Sequence, residues 1–316
     1  MASTTTDRAE PGRAWWTTFL FGHVAAVVLD ATEGWRRADE ALVAVVLAGC
    51  LLVAPPRTRR WLDVAWIALS AASLVAELPA LANHRNLTLY VDVVVLAAWL
   101  WASVRERRWR APDDALFARI APLLRASVVV VYFFAGFHKL NRDFLFEPGV
   151  SCAGWFADKL GRTVLGAPLP VPAAIVIVLA VLAAAWELGL ALALPLSGPR
   201  PRARIVALGA AWALHTVLAM AVFYDFSALM FALLWAFVPR EIVVAVLAPT
   251  RRAHRSLVLV LGAALAAGGL LALQPDRESL SHVVQGGALA VAHFLRFSRD
   301  RDHQDRRIVI TQIAAS

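Results

Sequence analysis

Tyr132-Phe-Phe-Ala-Gly-Phe-His-Lys-Leu-Asn-Arg-Asp-Phe144 ends a long apolar run on His138, Lys139, Asn141, Arg142 and Asp143. The preceding residues, Ala126 to Phe137, are rich in Val and Phe and apolar on every face, so they read as a buried or membrane helix. Lys139 therefore stands where a helix leaves the apolar phase. Partial desolvation there favours the neutral amine, which can act as a base or nucleophile. The simpler reading is a lysine that bends to water and marks a helix end. The 31 basic residues include only two lysines, Lys139 and Lys159. All the others are arginine, whose guanidinium does not deprotonate in proteins.

Working outward, the chain of 316 residues is 60% hydrophobic, with a mean hydropathy of +0.64. Apolar runs recur from residue 14 to about residue 297, which excludes a soluble globular domain. The net charge of +8 could suggest nucleic acid. The basic residues fall in short loops between apolar segments, however, with no aromatic and basic platform, so a nucleic-acid partner is not expected. Residues 1 to 13 are polar and lack the basic, apolar and small-residue order of a cleavable signal. The two cysteines, Cys50 and Cys152, cannot make a disulfide framework and are expected to be lone thiols.

The expected fold class is all-α: a polytopic integral membrane helix bundle of about 9–10 transmembrane helices. Expected spans are 14–29, 40–54, 61–82, 87–103, 126–137, 171–194, 205–223, a segment from Phe226 broken at Pro239-Arg240, 257–273 and a marginal 280–297. A basic loop, 105–125, should carry a short interfacial helix near Pro112. A long polar loop is expected over 141–170. The domain reading is a polar N-terminal tail (1–13), a transmembrane domain (14–297) and a basic C-terminal tail (298–316).

Loop charge orients this arrangement. With ten crossings and the N-terminus inside, the inner segments hold 23 Lys and Arg and the outer loops hold 8. That bias puts the N-terminus in the cytoplasm of a multi-pass cytoplasmic (inner) membrane protein. Asp30, His84, Asp92, Lys139, Asp143, Tyr224 and Asp225 then fall on or near the outer face.

Ionisable groups inside spans are costly and are functional candidates by default. Glu187, in Ala-Trp-Glu-Leu-Gly, is the most isolated acid and must be neutral or paired. His215, in Trp-Ala-Leu-His-Thr, reads either as a satisfied packing residue or as a pocket residue. Asp92 is a counter-ion to Lys139 or Arg142, or else an interfacial acid. His84, after Asn83, is a cap, a loop residue or a site residue.

Three stretches carry a resemblance. Tyr132-Phe-Phe-Ala-Gly-Phe-His-Lys-Leu-Asn141 resembles the Y-F-x-A-G-x-x-K-L signature of the vitamin K-dependent γ-carboxylase family and its bacterial relatives, the horizontally transferred transmembrane (HTTM) domain proteins. Asn83-His84 is similar to the family's Asn-His pair. Leu214-His215 followed by Phe226-Ser-Ala-Leu-Met230 is similar to its Phe-His and Phe-Ser elements. The order matches over most of residues 14 to 250. His138 stands where the animal enzyme has a second lysine.

The resemblance implies a membrane-embedded, quinol-dependent enzyme with carboxylase- or epoxidase-like (lyase) chemistry. Lys139 would deprotonate a reduced vitamin K or menaquinol-type quinone, with His84 assisting, and His138, Asn141, His215 and Asp225 would line the pocket. The implied partners are the lipid bilayer, a lipid quinone and an exported peptide or small substrate; no metal is implied. The large soluble portion of the animal enzyme has no counterpart after the membrane part here. The expectation is therefore quinone-linked modification of another substrate rather than γ-carboxylation as such. The alternative is a non-catalytic membrane protein: an accessory or immunity factor for an exported peptide, or a small transporter.

Overall fold

In a computed structural model the chain is described over residues 13–33, 46–48, 50, 56–79, 81, 83–107, 109, 111–165, 167–198, 200–221 and 223–247. The expected spans 257–273 and 280–297, most of 40–54 and, Arg13 excepted, both tails lie outside the described residues. The protein is an all-α membrane bundle. Its described elements are α1 (Ala14–Glu33), α2 (Pro56–Ala76), α3 (Asn83–Arg105), α4 (Asp114–His138), α5 (Arg142–Phe146), α6 (Cys152–Leu165), α7 (Ala173–Leu196), α8 (Pro201–Ala221), α9 (Tyr224–Leu234) and α10 (Arg240–Leu247). Four of these are long and apolar enough to cross a bilayer: His84–Arg105, Asp114–His138, Ala173–Leu196 and Pro201–Met220. Two shorter apolar helices, Trp61–Ala76 and Tyr224–Phe237, accompany them.

Two expectations need correction. From Asp114 onward the expected basic loop with its short interfacial helix is instead the first half of a continuous α4, which passes through Pro122. Asp113 caps it by accepting the Leu116 N–H at 2.9 Å, and Leu116, Phe117, Ile120, Ala121 and Leu124 are buried. That apolar face against the bundle outweighs the single hydrogen bond that proline removes. The long polar loop likewise contains α5 and the amphipathic α6. Asn141 starts α5 as its cap, its Oδ1 accepting the Phe144 N–H at 2.8 Å.

Small residues set the helix spacing. Ala180, Ala184 and Ala191 of α7 are buried, and a Cβ on Gly136 of α4 would stand 2.7 Å from Leu188 Cγ. A Cβ on Gly22 of α1 would stand 2.8 Å from Ala232 Cβ of α9. Close backbone approach of this kind drives helix association where lipid removes the hydrophobic incentive.

α9 is the central element, with Ser227 through Val238 all buried. The break expected at Pro239-Arg240 is present: α9 tightens into a 3₁₀ turn, Trp235–Phe237, and α10 restarts at Arg240. Non-helical backbone buried inside a membrane bundle needs protein partners for its carbonyls. Trp15 Nε1 donates to Trp235 O at 2.9 Å, and Arg125 Nε donates to Ala236 O at 2.6 Å.

Candidate functional site

Because α4 spans the bundle, its two termini lie at opposite ends. Beyond the α4 C-terminus, Lys139 Nζ donates to Ala135 O at 3.1 Å and to Glu187 Oε2 at 2.5 Å. Both side chains are mostly sheltered, with exposures of 21% and 12%. Gly136 makes this pair geometrically feasible, since α7 can approach at Leu188, the residue after Glu187. The ammonium also lies 5.9 Å from the Phe144 ring centroid. Glu187 is thus the paired acid that its position inside a span requires.

Phe133, Phe134 and Phe137 flank the lysine on the outward face of α4, all largely exposed. Phe133 and Phe137 stack at 5.7 Å with an interplanar angle of 13°. His138 is exposed and lies against Phe134 and Phe137. Asn141 is exposed as well, and its amide donates to His138 O at 2.6 Å.

Inside the same end, the Tyr132 hydroxyl meets His215 Nε2 at 2.9 Å. His215 is 1% exposed and has a phenol, not a carboxylate, as this partner. Phe226 and Phe231 pack edge-on to its ring. Cys152, at the start of α6, is a free thiol near the Lys139 and Glu187 charges. Partial desolvation pushes that thiol up, Lys139 pulls it down and Glu187 pushes it up, with a net upward shift.

His84 stands elsewhere on this end. Its Nε2 lies 2.8 Å from Asp225 Oδ2, at the start of α9, and 3.7 Å from Asp30 Oδ1, near the end of α1. No hydrogen bond or ion pair joins His84 to Lys139 among the described residues. Arg85 Nε donates to Asp30 Oδ2 at 3.0 Å, and its two terminal nitrogens hold both oxygens of Glu77.

Asp92 is counter-ion to neither Lys139 nor Arg142. It is fully buried, 2.6 Å from His23 Nε2 and accepting the Ser70 hydroxyl at 2.6 Å. The Trp66 indole donates to His23 Nδ1 at 3.3 Å. An indole only donates, so Nδ1 is the acceptor in this contact and Nε2 faces the carboxylate.

At the opposite end the acids meet arginine. Arg13 pairs with Asp63, which also accepts the Trp16 indole N–H at 3.0 Å. Asp114 accepts the Trp16 backbone N–H and Arg240 Nε, each at 3.0 Å. His23, Asp63 and Asp114 did not stand out as interior polar residues. Their sequence signal is one polar residue in an apolar run (His23), an acid after a basic cluster (Asp63) and the second of two adjacent acids (Asp113-Asp114), none of which reveals a partner tens of residues away.

No family model, curated protein or solved structure matches the chain.

Proposed function

We propose that the chain is a membrane-embedded acid–base enzyme of the vitamin K-dependent γ-carboxylase-like (HTTM) type, acting on a lipid quinol, with Lys139 as base and Glu187 as its proton partner. The supporting observation is the short Lys139–Glu187 contact beside an exposed aromatic face. In a low-dielectric site an ammonium–carboxylate pair and an amine–carboxylic acid pair are close alternatives, because both hold one proton and neither leaves a lone buried charge. When the proton rests on Glu187, the Nζ lone pair is available. Transfer of a phenolic proton from the quinol to Nζ then gives an ammonium, a neutral carboxylic acid and a phenolate. The site gains one positive charge as the substrate gains one negative charge, so the step is electrically balanced.

Phe133, Phe134 and Phe137 offer flat apolar surface to a quinone ring arriving sideways from lipid, in the offset arrangements aromatic pairs prefer. Tyr132 and His215 form the inner wall, and His138 and Asn141 the rim. His84, against Asp225 and Asp30, takes no part in the proton step. The arginine distribution supports a cytoplasmic N-terminus in the inner membrane with Lys139 at the outer face, open to an exported peptide or small substrate.

The test incubates wild type, Lys139→Arg and Lys139→Ala with reduced naphthoquinone and oxygen, and follows quinone products by mass spectrometry. Arginine keeps the charge but cannot serve as base. Turnover in the wild type and a loss of about 10²- to 10⁴-fold in both variants is expected, the usual contribution of a general base. Undiminished turnover in Lys139→Arg would overturn the assignment. No turnover and no quinone binding by wild type would favour the accessory, immunity or transport reading.

A further inference from the structure

The Asp30, His84 and Asp225 side chains come from three separate elements, α1, α3 and α9, and meet at one end of the bundle. One donor atom from each lies within 4.8 Å of the other two. We propose that they form a three-ligand site for a divalent transition cation of the Zn²⁺ or Mn²⁺ kind. This goes beyond the proposed function and is independent of it, because no ligand belongs to the Lys139 pair.

Spacing supports the site. At an ion–donor distance of about 2.1 Å, tetrahedral ligands stand about 3.4 Å from one another. The two contacts of His84 Nε2, 2.8 Å to Asp225 and 3.7 Å to Asp30, bracket that value. Small side-chain rotations would bring all three donors onto one centre.

Hydrogen bonding supplies an independent argument. Asp225 is 5% exposed, and its buried Oδ2 receives no well-directed hydrogen bond despite the neighbouring imidazole. A buried carboxylate oxygen whose one neighbouring donor is poorly aligned is only partly satisfied. A cation between it and the Nε2 lone pair would satisfy both.

Charge points the same way. Asp30, Asp225 and Glu77 bring three negative charges, and Arg85, bonded to Asp30 and Glu77, brings one positive charge. With a neutral imidazole two negative charges remain, which one divalent ion cancels. A protonated His84 would cancel only one. The donor set, one imidazole nitrogen and two carboxylate oxygens, suits zinc or manganese and does not need a thiolate. His84 and Asp30 are 32% and 24% exposed, so a fourth position faces outward, as in sites that keep one place for water or an anionic oxygen. No metal was expected from the sequence.

The test uses the full chain in detergent, stripped with chelator and re-equilibrated separately with zinc sulfate and manganese chloride. Metal content is then measured after gel filtration. About one ion per chain of at least one metal is expected in the wild type, with affinity lower by at least about tenfold in His84→Ala and in Asp225→Asn. Asp158→Asn, in an exposed pair with Arg162, should bind like wild type. If His84→Ala or Asp225→Asn fails to fold, X-ray absorption on the zinc-loaded wild type still decides. Nitrogen and oxygen scatterers at about 2.0–2.2 Å with an imidazole signature support the site, whereas sulfur at about 2.3 Å overturns it. Retention of neither metal by the wild type, or undiminished binding by folded His84→Ala, also overturns it and leaves an imidazolium bridging the two carboxylates.

Discussion

The two ends of the bundle bury carboxylates against different partners. Near the α4 N-terminus, Asp63 and Asp114 are held by Arg13, Arg240 and Trp16. Near its C-terminus, Glu187 meets Lys139, and Asp225 meets His84. An arginine keeps its proton at any physiological pH, so the first kind of contact is a fixed clamp. Lysine and histidine are bases that can exchange a proton where arginine cannot, so the second kind of contact is not a permanent clamp by chemistry alone. In a chain whose basic residues are nearly all arginine, a lysine facing a sheltered carboxylate is where proton chemistry is feasible.

Substitutions that remove an acid from each end test this contrast most strongly. Asp63→Ala would leave Arg13 and the Trp16 indole without their acceptor and should lower stability by about 3–5 kcal/mol, the cost of breaking a buried pair. Glu187→Gln keeps an acceptor oxygen for an amine that can also bend toward water, so about 1–2 kcal/mol is expected. Thermal unfolding in detergent reads both, and an equal loss at the two ends would break the distinction between clamp and exchangeable pair.

An effect smaller than that of Asp63→Ala is expected at the helix contact that makes the exchangeable pair. Gly136→Leu would collide with Leu188 and should cost about 1–3 kcal/mol through overpacking. It should also move Glu187 off Lys139, so quinone turnover should fall together with stability. Wild-type turnover in a destabilised Gly136→Leu protein would show that the spacing at Gly136 does not control the pair.

The smallest expected effect is on Cys152, which reports the lysine's charge. In a Cys50→Ser background, alkylation follows the thiolate fraction. That thiol is already shifted upward, so labelling should be slow at neutral pH and accelerate as pH rises. Lys139 pulls it downward, so Lys139→Ala should raise it further and slow labelling roughly a few-fold at fixed pH. Unchanged or faster labelling would mean that the ammonium does not act on the thiol.

The helical membrane class, the break at Pro239 and the free cysteines were legible because each rests on local composition or on a single strong residue. Lys139 stood out for the same reason: one lysine at the edge of an apolar run. Its partner was not legible. Glu187 lies 48 residues away, and only the packing of α4 on α7 at Gly136 brings the two together. Continuity of α4 through Pro122 was hidden because local proline chemistry argues for a stop, while the buried face that keeps the helix going is tertiary. Asp92 was misread because His23, its partner, comes from α1. Asp30, His84 and Asp225 had been grouped on one face by topology, although their convergence on one point depends on the placement of α9.

The buried turn after α9 also bears on how the protein is assembled. In bare lipid Trp235 O would keep only the Val238 N–H and Ala236 O would lose its arginine donor, and the side-chain donors, Trp15 and Arg125, belong to helices made earlier in synthesis. When residues 224–238 leave the ribosome, α1 and α4 have already been translated and can present a lined cleft. The segment can thus enter as a late insert into preformed protein, and chain order itself spares the broken backbone an interval in hydrocarbon.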